Sequence, residues 1–160
     1  MRMGRLVCAL AMAACATGCV YLPGEPYVSK MSLGLNVPAI SDPIVRARAG
    51  DAQRDIERTL RVLADGRNDR EEAQRQLGWS RNAPLQLPPE RRDSAPAGDA
   101  VLKRWPMAFM KAEDWASPDA TTVSFTAVFG DSNPAREVRE RQTYRLDGQR
   151  WNLSQQQRLQ

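Results

Sequence analysis

The sequence predicts an α+β fold in which an N-terminal amphipathic helix packs on a small antiparallel sheet of three to four strands. Two patterns support this prediction. Apolar residues recur every three or four positions between Val45 and Leu63, which is the period of a helix. They then recur at every second position from Val123 to Phe129, which is the period of a strand. A chain of 160 residues is long enough for one such domain, and we assign it to residues 42–160.

Residues 1–18 have the composition of an export signal. Arg2 and Arg5 make the beginning positive, and an apolar stretch without acidic residues follows from Leu6 to Ala14. This stretch is too short to cross a bilayer as a helix. Residues 1–18 are therefore predicted to direct export and then to be removed.

Small residues lead directly into a cysteine at the end of this signal. The segment Ala16-Thr17-Gly18-Cys19 resembles the lipobox of bacterial lipoproteins. The resemblance implies that a diacylglycerol is attached to the Cys19 sulfur and that the chain is cut just before this residue. Val20 follows where an aspartate favours the inner membrane, so the resemblance implies an outer-membrane protein facing the periplasm. Two or more acyl chains make a stable anchor, because each buried methylene contributes about 0.8 kcal/mol.

Two alternatives to lipidation at Cys19 remain open. Ala14-Cys15-Ala16 fits the small-x-small pattern of an ordinary cleaved signal, which would release the protein into the periplasm with Cys19 as a free thiol. Cys15 is also a second candidate for acylation. All three cysteines of the chain precede Val20, so the rest of the chain has no disulfide and no thiol nucleophile.

The composition excludes several kinds of site. The chain contains no histidine, which excludes a serine–histidine triad, a histidine general base and a histidine-ligated zinc. No dinucleotide-binding, Walker, paired-cysteine or calcium-loop motif occurs. The net charge of +4 is partly due to the signal and does not indicate a nucleic-acid partner. We therefore predict no catalytic residue, no metal and no cofactor.

The tether and the first helix come next along the chain. Residues 19–41 contain several Pro and Gly residues without periodicity, which predicts an extended tether. Asp42 has the properties of an N-cap, Pro43 suits the first helical position, and Gly66 is the predicted C-cap. Gly50 costs this helix about 1 kcal/mol relative to alanine and is a point at which it can split.

The middle of the chain has weaker signals. A second, surface helix is predicted from Asn68 as cap to Gly78. Four prolines make residues 82–99 a predicted long surface loop within the single domain. Alternating apolar residues indicate a strand over 102–110, with Pro106 at an edge or a bulge.

The C-terminal part has the clearest strand pattern. After the strand that ends at Phe129, the segment Gly130–Pro134 is rich in turn residues, and a second strand is predicted over 136–146. Asp147-Gly148 predicts a tight turn, and a short strand over 151–153 follows it. The sheet is therefore expected to be a meander.

These C-terminal residues resemble a known fold family. The strand Val123-Ser124-Phe125-Thr126-Ala127 and the segment Tyr144-Arg145-Leu146-Asp147-Gly148-Gln149-Arg150-Trp151-Asn152-Leu153 are similar to the end of an NTF2-like, cystatin-like domain. The resemblance covers about the last 60 residues of the chain. It implies a curved sheet that wraps a helix, and because members include enzymes, ligand-binding proteins and scaffolds, it implies no single function.

The strand over 136–146 has two polar faces. Glu140, Gln142 and Tyr144 share one of them and would line a ligand pocket if this face is concave. A carboxylate in such a pocket has a raised pKa and can accept a proton. Alternatively, the strand is exposed and Glu140 pairs with an arginine in solvent.

The other face of the same strand carries a row of arginines, which are Arg139, Arg141 and Arg145. They suit an anionic partner such as lipid headgroups, lipopolysaccharide or an acidic protein surface, although cross-strand ion pairs explain them equally well. Glu113 and Asp114 are adjacent on a strand and so face opposite ways, which argues against a glycosidase pair. The four tryptophans are predicted to pack rather than to bind sugars.

Together these features predict a lipid-anchored envelope lipoprotein that acts as a non-enzymatic interaction or assembly module, with the membrane and an envelope protein as partners. One alternative is an NTF2-like pocket that binds or converts a small ligand through Glu140, Gln142 and Tyr144. Another is an inhibitor or immunity-type lipoprotein that acts on a wall-degrading enzyme through residues 82–99.

Overall fold

The structure, a computed structural model, describes residues 34–79, 84–92, 101–131, 133 and 135–159. These residues form a short 3-10 helix (Val37–Ala39), two α-helices and four strands. The α-helices and strands are α1 (Pro43–Ala64), α2 (Arg70–Leu77), β1 (Ala108–Asp119), β2 (Thr122–Gly130), β3 (Val138–Asp147) and β4 (Arg150–Arg158). The strands form one antiparallel sheet in the order β1-β2-β3-β4, so the α+β class is confirmed. The predicted signal, Cys19 and most of the tether lie outside the described residues. Among the described helices, none has the length and apolar character needed to cross a bilayer.

Helix α1 begins at the predicted residue. The Asp42 carboxylate accepts hydrogen bonds from the backbone N–H groups of Ile44 at 2.8 Å and Val45 at 3.1 Å, and Pro43 occupies the first position. The helix continues through Gly50 without a break. Its buried residues follow the predicted stripe: Val45, Ala49, Ala52, Ile56, Thr59, Leu60, Leu63 and Ala64.

Gly66 has a different role from the C-cap predicted for it. The C-cap of α1 is Asp65, and Gly66 instead allows a close backbone contact. Its carbonyl accepts hydrogen bonds from the N–H groups of Lys103 and Arg104, both at 2.9 Å. A Cβ atom at Gly66 would lie only 2.4 Å from the carbonyl oxygen of Arg104, so this contact requires glycine.

The Arg104 side chain completes the end of α1. Its Nη2 donates to the carbonyl of Leu63 and its Nε donates to the carbonyl of Asn68, both at 2.6 Å. Carbonyls at the end of a helix lack partners within the helix, so a guanidinium satisfies them well. Burial lowers the pKa of Arg104, and nearby Glu90 and Asp65 oppose that effect.

The second predicted helix is confirmed as α2, with its cap shifted by one residue. Asp69, rather than Asn68, accepts a hydrogen bond from the N–H of Glu72 at 2.9 Å. Asn68 is buried, and its side-chain amide donates to the carbonyl of Val62 at 3.1 Å. Gly78 ends the helix in the left-handed conformation, with φ of 64°.

The sheet confirms the predicted meander and corrects its first strand. The turn at Asp147-Gly148 joins β3 to β4, and Gly148 has a positive φ of 61°. The alternation predicts a first strand over 102–110, whereas β1 runs from Ala108 to Asp119 with several register shifts. Pro106 forms only an isolated bridge with Glu90.

Two segments predicted to lie outside the core contribute to it. Leu35, in the predicted tether, is 1% exposed and Val37 is buried near it, so the tether cannot extend to residue 41. Leu85, in the predicted surface loop, is also 1% exposed. We call residues 84–90 the strap. They lie outside the helices and the sheet strands, and the carbonyl of Pro89 accepts from the N–H of Met107 at 2.7 Å. Residues 93–99 of that loop lie outside the described part.

The hydrophobic core lies between α1 and one face of the sheet, which we call the inner face. Helix α1 packs on this face through apolar residues of α1, β2 and the adjoining strands. Phe125 stacks on Trp115 with ring centroids 4.6 Å apart and on Tyr144 with centroids 5.9 Å apart. Trp151 is buried in the same cluster, so these tryptophans have packing roles.

Two glycines of this region should respond to alanine in opposite ways. Gly50→Ala should raise the free energy of unfolding by about 1 kcal/mol, because a Cβ there meets nothing within 4 Å and alanine favours a helix. Gly66→Ala should lower it by roughly 1–3 kcal/mol through the clash with the Arg104 carbonyl. Urea unfolding of the full-length variants measures both. Equal effects of the two changes would contradict the close contact at Gly66.

Candidate functional site

The three pocket residues predicted on β3 lie together on the inner face. Glu140 is 2% exposed, and Gln142 and Tyr144 are fully buried. The interpretation that places Glu140 in solvent is therefore wrong. We call this set the inner row, and it lies on the same side of the sheet as α1 and the core.

The side chains of the inner row bind one another. The Tyr144 hydroxyl donates to Oε1 of Gln142 at 2.9 Å, and Nε2 of Gln142 donates to Oε1 of Glu140 at 2.9 Å. Gln156 of β4 donates a second amide hydrogen bond to the same Glu140 oxygen, at 3.0 Å. The other carboxylate oxygen lies 3.9 Å from Nη2 of Arg158. Each polar group of the row thus has a partner, as buried polar groups require.

Gln156 links the inner row to the strap. Its Oε1 accepts from the backbone N–H of Gln86 at 2.9 Å, and its Nε2 donates to the carbonyl of Gln86 at 3.0 Å. Arg158 donates to the carbonyl of Leu87 at 3.3 Å. One glutamine therefore holds the strap through a pair of bonds like those between two strands, and the strap covers the Glu140 end of the row.

Gln156 is a member of this network that the sequence pattern does not reveal. The Asp147-Gly148 turn sets the pairing of β3 with β4, and without irregularity that register would place Gln156 on the outer face. A register shift between Thr143 and Tyr144 leaves Ser154 as an extra residue and pairs Gln156 with Gln142. The bulge is therefore the feature that brings Gln156 to the inner row.

Burial determines the protonation of the inner row. It raises the pKa of Glu140, while the hydrogen bonds from Gln142 and Gln156 and the charge of Arg158 oppose the rise. Burial likewise raises the pKa of Tyr144. The row can hold a proton on Glu140 more readily than an exposed carboxylate can. Its polar atoms are, however, bonded to one another rather than directed at an open pocket.

The opposite, outer face carries the arginine row over a stripe of buried hydroxyl side chains of β2. Arg141 lies across these strands: its Nη2 donates to Oγ of Ser124 at 2.9 Å and its Nη1 to the carbonyl of Asp114 at 2.7 Å. Asp114 has a positive φ of 51° at an irregular part of β1, so Arg141 fixes that irregularity in place. We call Arg139, Arg141 and Arg145 the arginine face.

The other two arginines of this face differ in their partners. Arg139 forms an ion pair with Glu113, which also pairs with Lys111. The hydrogen bond from Lys111, followed by that from Arg139, lowers the pKa of Glu113. Arg145 is exposed and forms no ion pair with a carboxylate in the described ranges, although it lies near the Asp119 carboxylate. Glu113 therefore serves ion pairing on the outer face, and Arg145 is the arginine of this face most open to a partner.

The described residues hold no group of three or more Cys, Asp or Glu side chains placed to bind a metal ion. No family model, characterised protein or solved structure matches this chain. Of the candidate sites predicted from the sequence, the structure describes the inner row and the arginine face, and Cys19 lies outside the described residues.

The raised pKa of Glu140 predicts a specific pH dependence of stability. Because the folded-state pKa exceeds the ordinary value of 4.5, the folded chain binds more protons than the unfolded chain above that value. The contribution of Glu140 to stability is thus fully present below pH 4.5 and is lost as the pH rises through the folded-state pKa. As the pH rises through the folded-state pKa of Glu140, the free energy of unfolding of the wild type should therefore fall relative to that of the Glu140→Gln variant. Urea unfolding at several pH values measures the difference.

Glu113→Gln is the matched control. The pKa of Glu113 is lowered, so its contribution to stability is present above pH 4.5 and is lost as the pH falls through the lowered pKa. The two variants should therefore show opposite slopes against pH. A flat difference between wild type and Glu140→Gln would contradict the burial of an ionisable carboxylate in the inner row.

Proposed function

We propose that this chain is an envelope lipoprotein, anchored by lipid on Cys19, whose domain is a non-enzymatic binding module for a protein partner on the periplasmic side of the outer membrane. The observation that supports the binding role is the arginine face, where Arg141 is held in place over the β2 hydroxyls while Arg145 is exposed. The proposal includes an NTF2-like relationship, which the helix α1 on the inner face of a meander sheet supports.

The inner face favours a binding module over a pocket protein. Its polar side chains hydrogen-bond to each other, to Gln156 and, through Gln156, to the strap. A ligand would have to replace these bonds and displace Leu85, which is buried in the core. The polar groups of the inner row are therefore not open to a partner, whereas those of the arginine face are.

The arginine face suits an acidic protein surface. Guanidinium groups donate paired hydrogen bonds to carboxylates, which gives both strength and a defined geometry. Arg141 is already fixed by its bonds to Ser124 and Asp114, so a partner that contacts it loses little side-chain entropy. The same charge increases the rate of encounter with an acidic partner.

The position of the anchor agrees with this role. The segment from Cys19 to Gly34 can reach at most about 50 Å when it is fully extended. A lipid on Cys19 therefore confines the domain to a layer close to the membrane. Confinement raises the effective concentration of the domain for partners in the same membrane.

A second candidate is a small-ligand site at Glu140, Gln142 and Tyr144. The observation in its favour is a buried carboxylate of raised pKa beneath the strap, because perturbed carboxyl groups occur frequently at functional sites. An inhibitor role through residues 82–99 stays a prediction, since residues 93–99 lie outside the described part.

The anchor is tested by metabolic labelling with palmitate. Wild-type chain and the Cys15→Ser variant should both incorporate the label, and Cys19→Ser should incorporate none, because only the Cys19 sulfur carries the diacylglycerol. In envelope fractionation, the wild type and Cys15→Ser should be found with the membranes and Cys19→Ser should not. Label in Cys19→Ser at the wild-type level would remove the anchor from the proposal.

The binding surface is tested by photocrosslinking in intact envelopes. A photoreactive residue at Thr143, between Arg141 and Arg145 on the outer face, should capture one major protein. Arg145→Glu in the same chain should reduce the yield roughly fivefold, the factor that about 1 kcal/mol produces.

Arg54→Glu, an equal charge change on the exposed side of α1, is the control and should leave the yield unchanged. Equal losses in the two variants would indicate a general charge effect and contradict the arginine face. If Glu140→Gln reduces the crosslinking yield and Arg145→Glu does not, the inner row is the functional site.

A further inference from the structure

A small cavity lies between α1, α2 and β4, apart from the strap and the arginine face. Its volume is about 30 Å³. Trp151 and Leu153 of β4 and Thr59 of α1, all buried, form its floor, and Leu77 of α2 is a further apolar wall. Arg58 of α1 and Arg150 of β4 also line it. The cavity therefore combines an apolar floor with two guanidinium groups.

The two arginines of this cavity have no anionic partner of their own. Neither Arg58 nor Arg150 forms an ion pair with a carboxylate of the described residues, and the side chain of Arg58 has a single long hydrogen bond, 3.4 Å to the carbonyl of Gln76. By contrast, Arg61 of α1 and Arg75 of α2 do form ion pairs. Asp55 is the one carboxylate among the described residues that lines the cavity.

Asp55 forms no ion pair with either arginine. Its Oδ2 accepts a hydrogen bond from the backbone N–H of Trp151 at 2.9 Å, where it closes the edge of β4. The Thr59 hydroxyl is also engaged, since it donates to the carbonyl of Asp55 at 3.0 Å. Two guanidinium groups and one carboxylate therefore line the cavity, and the donors that face it include those of Arg58, Arg150 and the Asn152 amide.

We propose that this cavity binds the carboxylate group of a small organic acid or of a peptide C-terminus. A water-sized atom needs about 10–15 Å³ of such space, so the cavity has room for about two oxygen atoms. Such a space admits the carboxylate end of a ligand and not the whole of a sugar or a nucleotide. Arginine pairs well with carboxylates because its planar group donates two parallel hydrogen bonds.

The apolar residues determine which acids suit the site. The carboxylate fills the cavity, so the rest of the ligand has to lie outside it, against Leu77 and the adjoining surface of α2. An aliphatic substituent there buries apolar area, which a simple inorganic anion cannot do. A free carboxylic acid and a peptide C-terminus present the same carboxylate and differ only in the groups attached to the α-carbon.

The test uses the full-length chain labelled with 5-fluorotryptophan. The four tryptophans give four fluorine signals, and loss of one signal in Trp151→Phe assigns the residue beneath the cavity. Sodium propionate is titrated at constant ionic strength set by sodium chloride. The Trp151 signal should shift with saturation, while the signal of Trp115, on the other side of the core, should stay in place.

Single substitutions test whether Arg58 and Arg150 bind the carboxylate. Arg58→Gln and Arg150→Gln should each weaken apparent propionate affinity about tenfold, the change expected when one charged hydrogen-bonding partner is lost. Arg46→Gln, an exposed arginine of α1 outside the cavity, should bind as the wild type does. Unchanged signals of the other three tryptophans show that each variant is folded.

A second arm distinguishes the two sources of the carboxylate. N-acetyl-alanyl-leucine is compared with its C-terminal amide and with propionate. Tighter binding of the peptide acid than of propionate, with no binding of the amide, identifies a peptide C-terminus, whereas equal binding of both acids identifies small organic acids. Absence of a Trp151 shift, the same shift with chloride alone, or wild-type affinity in both arginine variants would overturn the proposal.

Discussion

The burial of β2 on both faces is the constraint on which the rest of the architecture depends. All nine of its residues are buried. Its inner side chains are apolar and are covered by α1, whereas most of its outer side chains carry hydroxyl groups that need polar cover. Arg141 supplies that cover by binding Ser124 and the irregular part of β1. The arginine face is thus partly a consequence of burying β2, and a partner would use a surface that the fold already holds rigid.

A second constraint is the carboxylate inside the domain. Burying an ionised group without partners is costly, and the chain satisfies Glu140 with two glutamine amides and the nearby charge of Arg158. Gln156 reaches that position only because Ser154 is an extra residue in β4. The same amide then fixes the strap through Gln86. The bulge at Ser154 therefore both brings Gln156 to Glu140 and allows the strap to bind over the inner row.

The elements that sequence predicts well are those that depend on local chemistry. The cap at Asp42, the alternation from Val123 to Phe129 and the Asp147-Gly148 turn each express a rule that acts within a few residues. Leu85 and Leu35 enter the core through contacts with distant parts of the chain, which periodicity does not reveal. The bounds predicted for the first strand are wrong because the register shifts of β1 interrupt the alternation. The bulge at Ser154 of β4 has a similar effect, because the pattern alone predicts the inner row without Gln156.

The arginines show why charge counts predict binding poorly and positions predict it better. Arg104 closes the end of α1 and is committed to the fold, whereas Arg141 secures β1 and stays half-buried on the outer face. Arg145 and Arg150 flank the Asp147-Gly148 turn, and neither has an ion pair with a described carboxylate. One belongs to the outer face and the other to the cavity beneath α2. The β3–β4 turn therefore lies between the arginine face and the cavity, and each of these two surfaces has one arginine without an ion pair to a described carboxylate.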